Sequence, residues 1–145
     1  MARMIFVNLP VSDVARAVAF YSAIGATEDD RYREGDAGAA VRFSDTIYFM
    51  LLSHARFADF APAGAPQASA TAQMLITLSE DSREALDATV ARAVALGGTA
   101  DPAPVEDYGW MYGRGFTDPD GHMIGLAWMD MEAAMAATAG QGVAA

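Results

Sequence analysis

The stretch MIFVNLPVSDVARAVAFYSAIGA, residues 4–26, changes period partway along, and that change decides how the chain is read. Its first part alternates: Ile5, Val7, Leu9 and Val11 share one face, and Phe6, Asn8 and Pro10 share the other, as successive side chains of a strand do. Asp13 then stands where a helix N-cap belongs, because its short carboxylate reaches the free amides of a first helical turn. Val14, Ala17, Val18, Tyr21 and Ile24 recur at helical spacing, and Gly25 supplies a left-handed stop. Working outward, the polar residues 27–33 read as an exposed strand and 35–38 as a turn. Residues 40–44 and 47–53 read as a hairpin joined at Asp45 and Thr46, and 54–60 as a short helix.

The same order then returns. Residues 61–70 are rich in Ala, Pro, Gly and Ser and lack periodicity, so they read as an internal linker. Residues 73–79 alternate as a strand. Asp81 or Ser82 caps a second helix, with Glu84 placed for a capping box from Asp81. Leu86, Val90 and Val94 form its expected buried stripe, and Gly97-Gly98 ends it. Residues 99–107 are interrupted by proline, as an edge strand can be. Residues 110–116 and 123–129 read as the last two strands, separated by the turn Asp118-Pro119-Asp120-Gly121. The reading is a single α+β domain of two modules, about 3–60 and 71–130, each strand, helix, then three strands, with a tail at 131–145. Each helix is expected to cover the outer face of a sheet, and the sheets to curve around a shared cleft.

Composition removes several functions. There is no cysteine among the 145 residues, so disulfides, thiol nucleophiles and Cys-based metal sites are absent. Every basic side chain apart from His is Arg, which removes Schiff-base chemistry on lysine. A net charge of −10 argues against nucleic acid, whose binding rests on cationic neutralisation of phosphates. No apolar run is long enough to span a bilayer, and the N-terminus runs straight into a strand pattern rather than a signal peptide. A cytoplasmic protein that does not engage membranes is the expectation.

Residues 6–13, followed by Ala19-Phe20-Tyr21 and Ile24-Gly25-Ala26, resemble the opening of the glyoxalase/bleomycin-resistance/extradiol-dioxygenase family, the vicinal oxygen chelate superfamily. Residues 46–53 and 107–122 strengthen the likeness and look like the branch of predicted lactoylglutathione lyases. The resemblance covers roughly 3–130. It implies paired βαβββ modules around a cup-shaped site, usually in a homodimer, and in many members a divalent metal held by His or Glu from the first and last strand of each module. The matching positions here are Phe6, Phe49 (Met50 if the register slips by one), Gln73 and Gly125. Phenyl rings and glycine carry no donor and Gln is a poor neutral ligand, so no metal and no other cofactor is expected.

The expected ligand-binding set is Phe6, Asn8, Phe49, Gln73, Trp110, Tyr112, Met123 and Gly125. Asn8 and Gln73 lie opposite the helix-packing residues of their strands, where they either orient a ligand or satisfy backbone groups and each other. The aromatic members line a cleft or serve as plain core. Trp128 shares parity with Ile124 and Leu126 and is read as packing under a helix. His122 is read as capping a strand end or facing solvent, His54 as making a local hydrogen bond, Asp29-Asp30 as a solvated edge, and Arg42 and Arg114 as ion-pair partners or as holders of an anionic group. Four functions stay open on the residues alone. They are a metal-free protein that binds a small planar or cationic molecule, a metal-dependent lyase, isomerase or dioxygenase, a metal-free enzyme using Tyr112, His122 or Glu106 as acid or base, and a dimerising module.

Overall fold

The computed structural model describes residues 2–64 and 74–139. The first module runs β1 (Ile5–Val11), α1 (Val14–Ala23), β2 (Thr27–Glu28), β3 (Gly38–Arg42), β4 (Ile47–Ser53) and α2 (His54–Phe60). The second runs β5 (Ile76–Ser79), α3 (Arg83–Ala95), β6 (Thr99–Ala100), β7 (Glu106–Asp107), β8 (Met111–Thr117) and β9 (Met123–Met129), followed by α4 (Met131–Ala139). The paired βαβββ order read from the sequence is present. Asp13 accepts the amide of Arg16 as the α1 cap, and Gly25 takes a φ of 114° just beyond the helix. Residues 65–73 and 140–145, which include Gln73, most of the expected linker and the end of the tail, lie outside the described residues.

The strands form two sheets. The first has the order β1-β4-β3-β2, with β1 parallel to β4 and the remaining pairs antiparallel. The second has the order β5-β9-β8, with β5 parallel to β9 and the short β6 and β7 both on the far edge of β8. Three local readings change. The expected strand at 27–33 stops after Glu28, because Asp29 accepts the amide of Arg31 and turns the chain into a 3-10 helix over Asp30–Tyr32. Pro102 and Pro104 divide the expected 99–107 strand into β6 and β7. In α3 the cap is Ser82, which accepts the amide of Ala85, and the buried face is Leu86, Thr89, Val90 and Ala93. Val94 is 46% exposed, because two steps of four residues drift about 80° around a helix of 3.6 residues per turn.

One core joins the modules. Leu9, Val11, Ala17, Phe20, Tyr21 and Phe49 of the first pack in the same cluster as Leu86, Val90, Phe116, Ile124 and Leu126 of the second. The rings of Phe20 and Phe116 lie 5.8 Å apart across the junction, and α1 touches α3. Each sheet thus has one face turned into this core toward α1 or α3 and one turned away from it, its free face. The Asp118-Pro119-Asp120-Gly121-His122 turn closes the junction. Tyr21 donates to Asp118 at 2.6 Å, the amide of Ser12 donates to Asp120 at 2.9 Å, and His122 Nε2 lies 2.7 Å from the carbonyl of Pro10. A carbonyl only accepts, so His122 donates there. Asp118 also accepts the amides of Asp120 and His122. Burial pushes the Asp118 carboxyl up despite these donors, and burial followed by the Asp118 charge pushes the Tyr21 phenol well up. No helix among the described residues is long and apolar enough to cross a membrane.

Candidate functional site

Strand register sorts the expected site residues between covered and free faces. On the first sheet, Phe6 pairs with Tyr48, Asn8 with Met50 and Pro10 with Leu52, and cross-strand partners share a face. The Phe6 ring stacks on Tyr48 at 5.1 Å and is 42% exposed. Tyr32 meets Tyr48 edge-on at 6.1 Å. The Tyr48 hydroxyl donates to Asp29, which is itself buried and bound by Arg31 at 2.6 Å rather than lying on a solvated edge. Hydrogen bonds from Arg31 hold the Asp29 carboxyl well below the usual carboxylate range. Asn8 is exposed, with only a long 3.4 Å bond from its amide to the carbonyl of Phe6.

Phe49 stands on the other face. It pairs with Val7 and Val41, is fully buried, and packs edge-on against Tyr21 at 5.4 Å and Phe43 at 5.0 Å. It is core under α1, and Met50 holds the free-face position. Tyr112 is likewise on the covered face, because its hydroxyl donates at 2.7 Å to Asp87 of α3. Arg114 donates to Asp87 at 2.9 Å and grips Asp101 at 2.8 and 3.0 Å. Arg83 lies over the rings of Tyr112 and Trp128 while pairing with Asp107, which places Trp128 against the helix as read. Trp110 precedes β8, stacks on Tyr108 at 5.9 Å, and accepts the amide of Asp130 through its carbonyl.

What remains on the free face of the second sheet is small and flexible rather than aromatic. A cavity of about 160 Å³ is floored by Gly113, Gly115, Gly125 and Ala127 and bordered by Thr77, Met111, Met123, Pro104 and Glu106. At two of the glycines a side chain would meet close neighbours. A Cβ on Gly115 would lie 2.8 Å from the Met123 methyl and 3.0 Å from the Ile124 carbonyl, and one on Gly125 would lie 2.8 Å from Thr77 Oγ1. Met123 and Gly125 from the expected set are thus together here, separate from Phe6 and Asn8 on the other sheet. Met111, Gly113 and Gly115 were not anticipated. The signal available was the alternation of glycine in Gly113-Arg114-Gly115, since glycine inside a strand marks a close approach or an open space.

The family metal does not fit these residues. Phe6 has no donor, Phe49 faces the core, and Met50 beside it offers only a thioether. At Gly125 the space a ligand side chain would enter is taken by the Thr77 hydroxyl. No group of three His, Cys, Asp or Glu side chains among the described residues could hold a metal ion. His122 is engaged by Pro10, and His54 opens α2 beneath its Ser53 cap.

A family model described as Glyoxalase/Bleomycin resistance protein/Dioxygenase superfamily matches residues 3–126. A comparison with curated proteins gives no match. Among solved structures, a hypothetical protein from S. aureus is similar at 22% identity and a TM-score of 0.71, covering 88% of this chain and 95% of its own. A glyoxalase/bleomycin resistance protein/dioxygenase family enzyme from Burkholderia phytofirmans PsJN is similar at 22% identity and 0.70, over 88% and 99%. The fosfomycin resistance protein FosX from Listeria monocytogenes is similar at 19% identity and 0.66, over 91% and 97%. At these identities the likeness speaks for the fold.

Proposed function

The chain belongs to the Glyoxalase/Bleomycin resistance protein/Dioxygenase superfamily, and from that premise we propose that it binds a small organic molecule without the family's metal. The observation that carries this reading is the cavity over Gly113, Gly115 and Gly125, which coincides with one family ligand position and offers no metal donor there. At about 160 Å³ it is smaller than the roughly 300–1,000 Å³ of drug-sized sites, so it takes one end of a ligand. We place the second wall on another copy of the chain. The exposed face around Phe6 and Asn8 would then cover the glycine floor of its partner in a homodimer. Each sheet has an edge strand, β1 and β5, with an exposed apolar residue at its start: Ile5 in β1 at 55% and Leu75 just before β5 at 70%. Such edges invite strand pairing.

Titration of the protein with a panel of small flat aromatic compounds, followed by thermal unfolding and tryptophan fluorescence, tests the reading. Saturable stabilisation by at least one compound is expected, and a well-folded protein indifferent to the whole panel contradicts it. The likeness of residues 107–122 to predicted lactoylglutathione lyases favours a second reading, a metal-dependent lyase. It requires stoichiometric Ni, Zn, Mn or Fe in the purified protein, and elemental analysis decides between the two.

A further inference from the structure

We infer that the cavity on the second sheet selects organic cations, with Glu106 as the counter-charge. This rests on the proposal that the cavity binds a small molecule and adds the class of molecule. Two charged residues border the cavity, Glu106 and Arg114. The Arg114 guanidinium is already neutralised, held by Asp101 and Asp87 on the covered side. Among the described residues Glu106 has no cationic partner; the Tyr108 hydroxyl donates to it at 3.4 Å. Register fixes its direction. Glu106 pairs with Gly113, so its side chain stands on the free face beside a residue that has none. Its neighbour Asp107 pairs with Tyr112 on the covered face and is taken by Arg83. The sheet thus spends one carboxylate on its own helix and leaves the adjacent one facing open space.

The other walls suit the apolar body of such a ligand. Met111 lies within 3.4 Å of where a Gly113 side chain would begin, and Met123 lies across Gly115. Thioethers are polarisable and adjust to flat or cationic groups. The glycines expose peptide planes on which a ring can lie. The net charge of −10 adds a field that concentrates cations around the protein.

Calorimetric titration of the full chain with phenyltrimethylammonium, its uncharged isostere tert-butylbenzene and the anion benzenesulfonate tests the assignment. The cation is expected to bind roughly three- to tenfold more tightly than the neutral compound, the range of a partly screened ion pair, and the anion most weakly. Glu106→Gln should bring the cation to the neutral compound's affinity and leave the neutral compound unchanged. Glu84→Gln, with the same charge change on the exposed side of α3, should alter nothing. Gly113→Leu, which fills the cavity, should abolish binding of both. Equal affinity for cation and isostere, or a cation affinity unmoved by Glu106→Gln, overturns the charge assignment while leaving the cavity as a binding site. Binding that survives Gly113→Leu overturns the location. Failure of all three compounds removes the cation assignment, while the binding reading beneath it stands or falls on the compound panel.

Discussion

Tyr21 and Asp118 meet at 2.6 Å although 97 positions separate them. Removing the hydroxyl leaves a buried carboxylate short of a donor, so Tyr21→Phe should cost roughly 1–3 kcal/mol, read from urea unfolding. The sequence shows Tyr21 only as a member of an apolar helical stripe, because periodicity reports the face of a side chain and not the needs of its terminal atom. Asp13 and Gly25 were legible for the opposite reason, since a cap and a left-handed stop act on the backbone within a turn. Phe49 failed on phase. In Ile47-Tyr48-Phe49-Met50-Leu51-Leu52 every position is apolar, so alternation is silent, and only pairing with Val7 and Val41 reveals which residues face α1. Tyr112 misled similarly. An aromatic ring in a strand suggests a ligand wall, whereas the Tyr112 ring here lies under Arg83 of α3.

At the scale of elements, α3 is tied to its sheet by charge as well as by apolar contact. Arg83 donates twice to Asp107, at 2.7 and 3.0 Å, and its hydrogen bonds lower the Asp107 carboxyl to about 2. The unfolded chain binds this proton from near 3.8. The pair therefore stabilises the fold above roughly pH 4 and loses that contribution as pH falls toward 2. Asp118 acts with the opposite sign, since its raised folded value disfavours the charged form and its contribution is lost as pH rises. Urea midpoints across the acid range should therefore fall less steeply in Arg83→Met than in the parent, with the two converging near pH 2. The far end of α3 is held by proximity. A Cβ at Gly98 would lie 2.7 Å from the Thr117 carbonyl and 2.9 Å from that of Ala93, both backbone atoms. Gly98→Ala should lower the unfolding temperature measurably, because neither carbonyl can yield without moving β8 or the helix. The Gly97-Gly98 pair reads as a helix stop in the sequence, but the close approach depends on a strand nearly twenty residues away.

The whole molecule is two modules sharing one core, and each sheet turns one face away from it. The repeat was legible because each half carries its own strand, cap and stop. The mutual placement was not, because nothing local tells α1 that it will meet α3 through Phe20 and Phe116. If the free faces complete one another between copies, lysines at the exposed edge positions should prevent it. Ile5→Lys with Leu75→Lys is expected to sediment as a monomer and to bind small molecules more weakly than the parent. The shared core also has a consequence in time. A ribosome adding roughly 5–20 residues per second delivers Asp118 some 5–20 s after Tyr21. Throughout that interval Phe20 and the Tyr21 hydroxyl lack Phe116 and Asp118, the partners they meet in the fold. The chain should accordingly be most vulnerable to chaperone capture, and to pausing, in the stretch of synthesis before the Asp118 turn emerges.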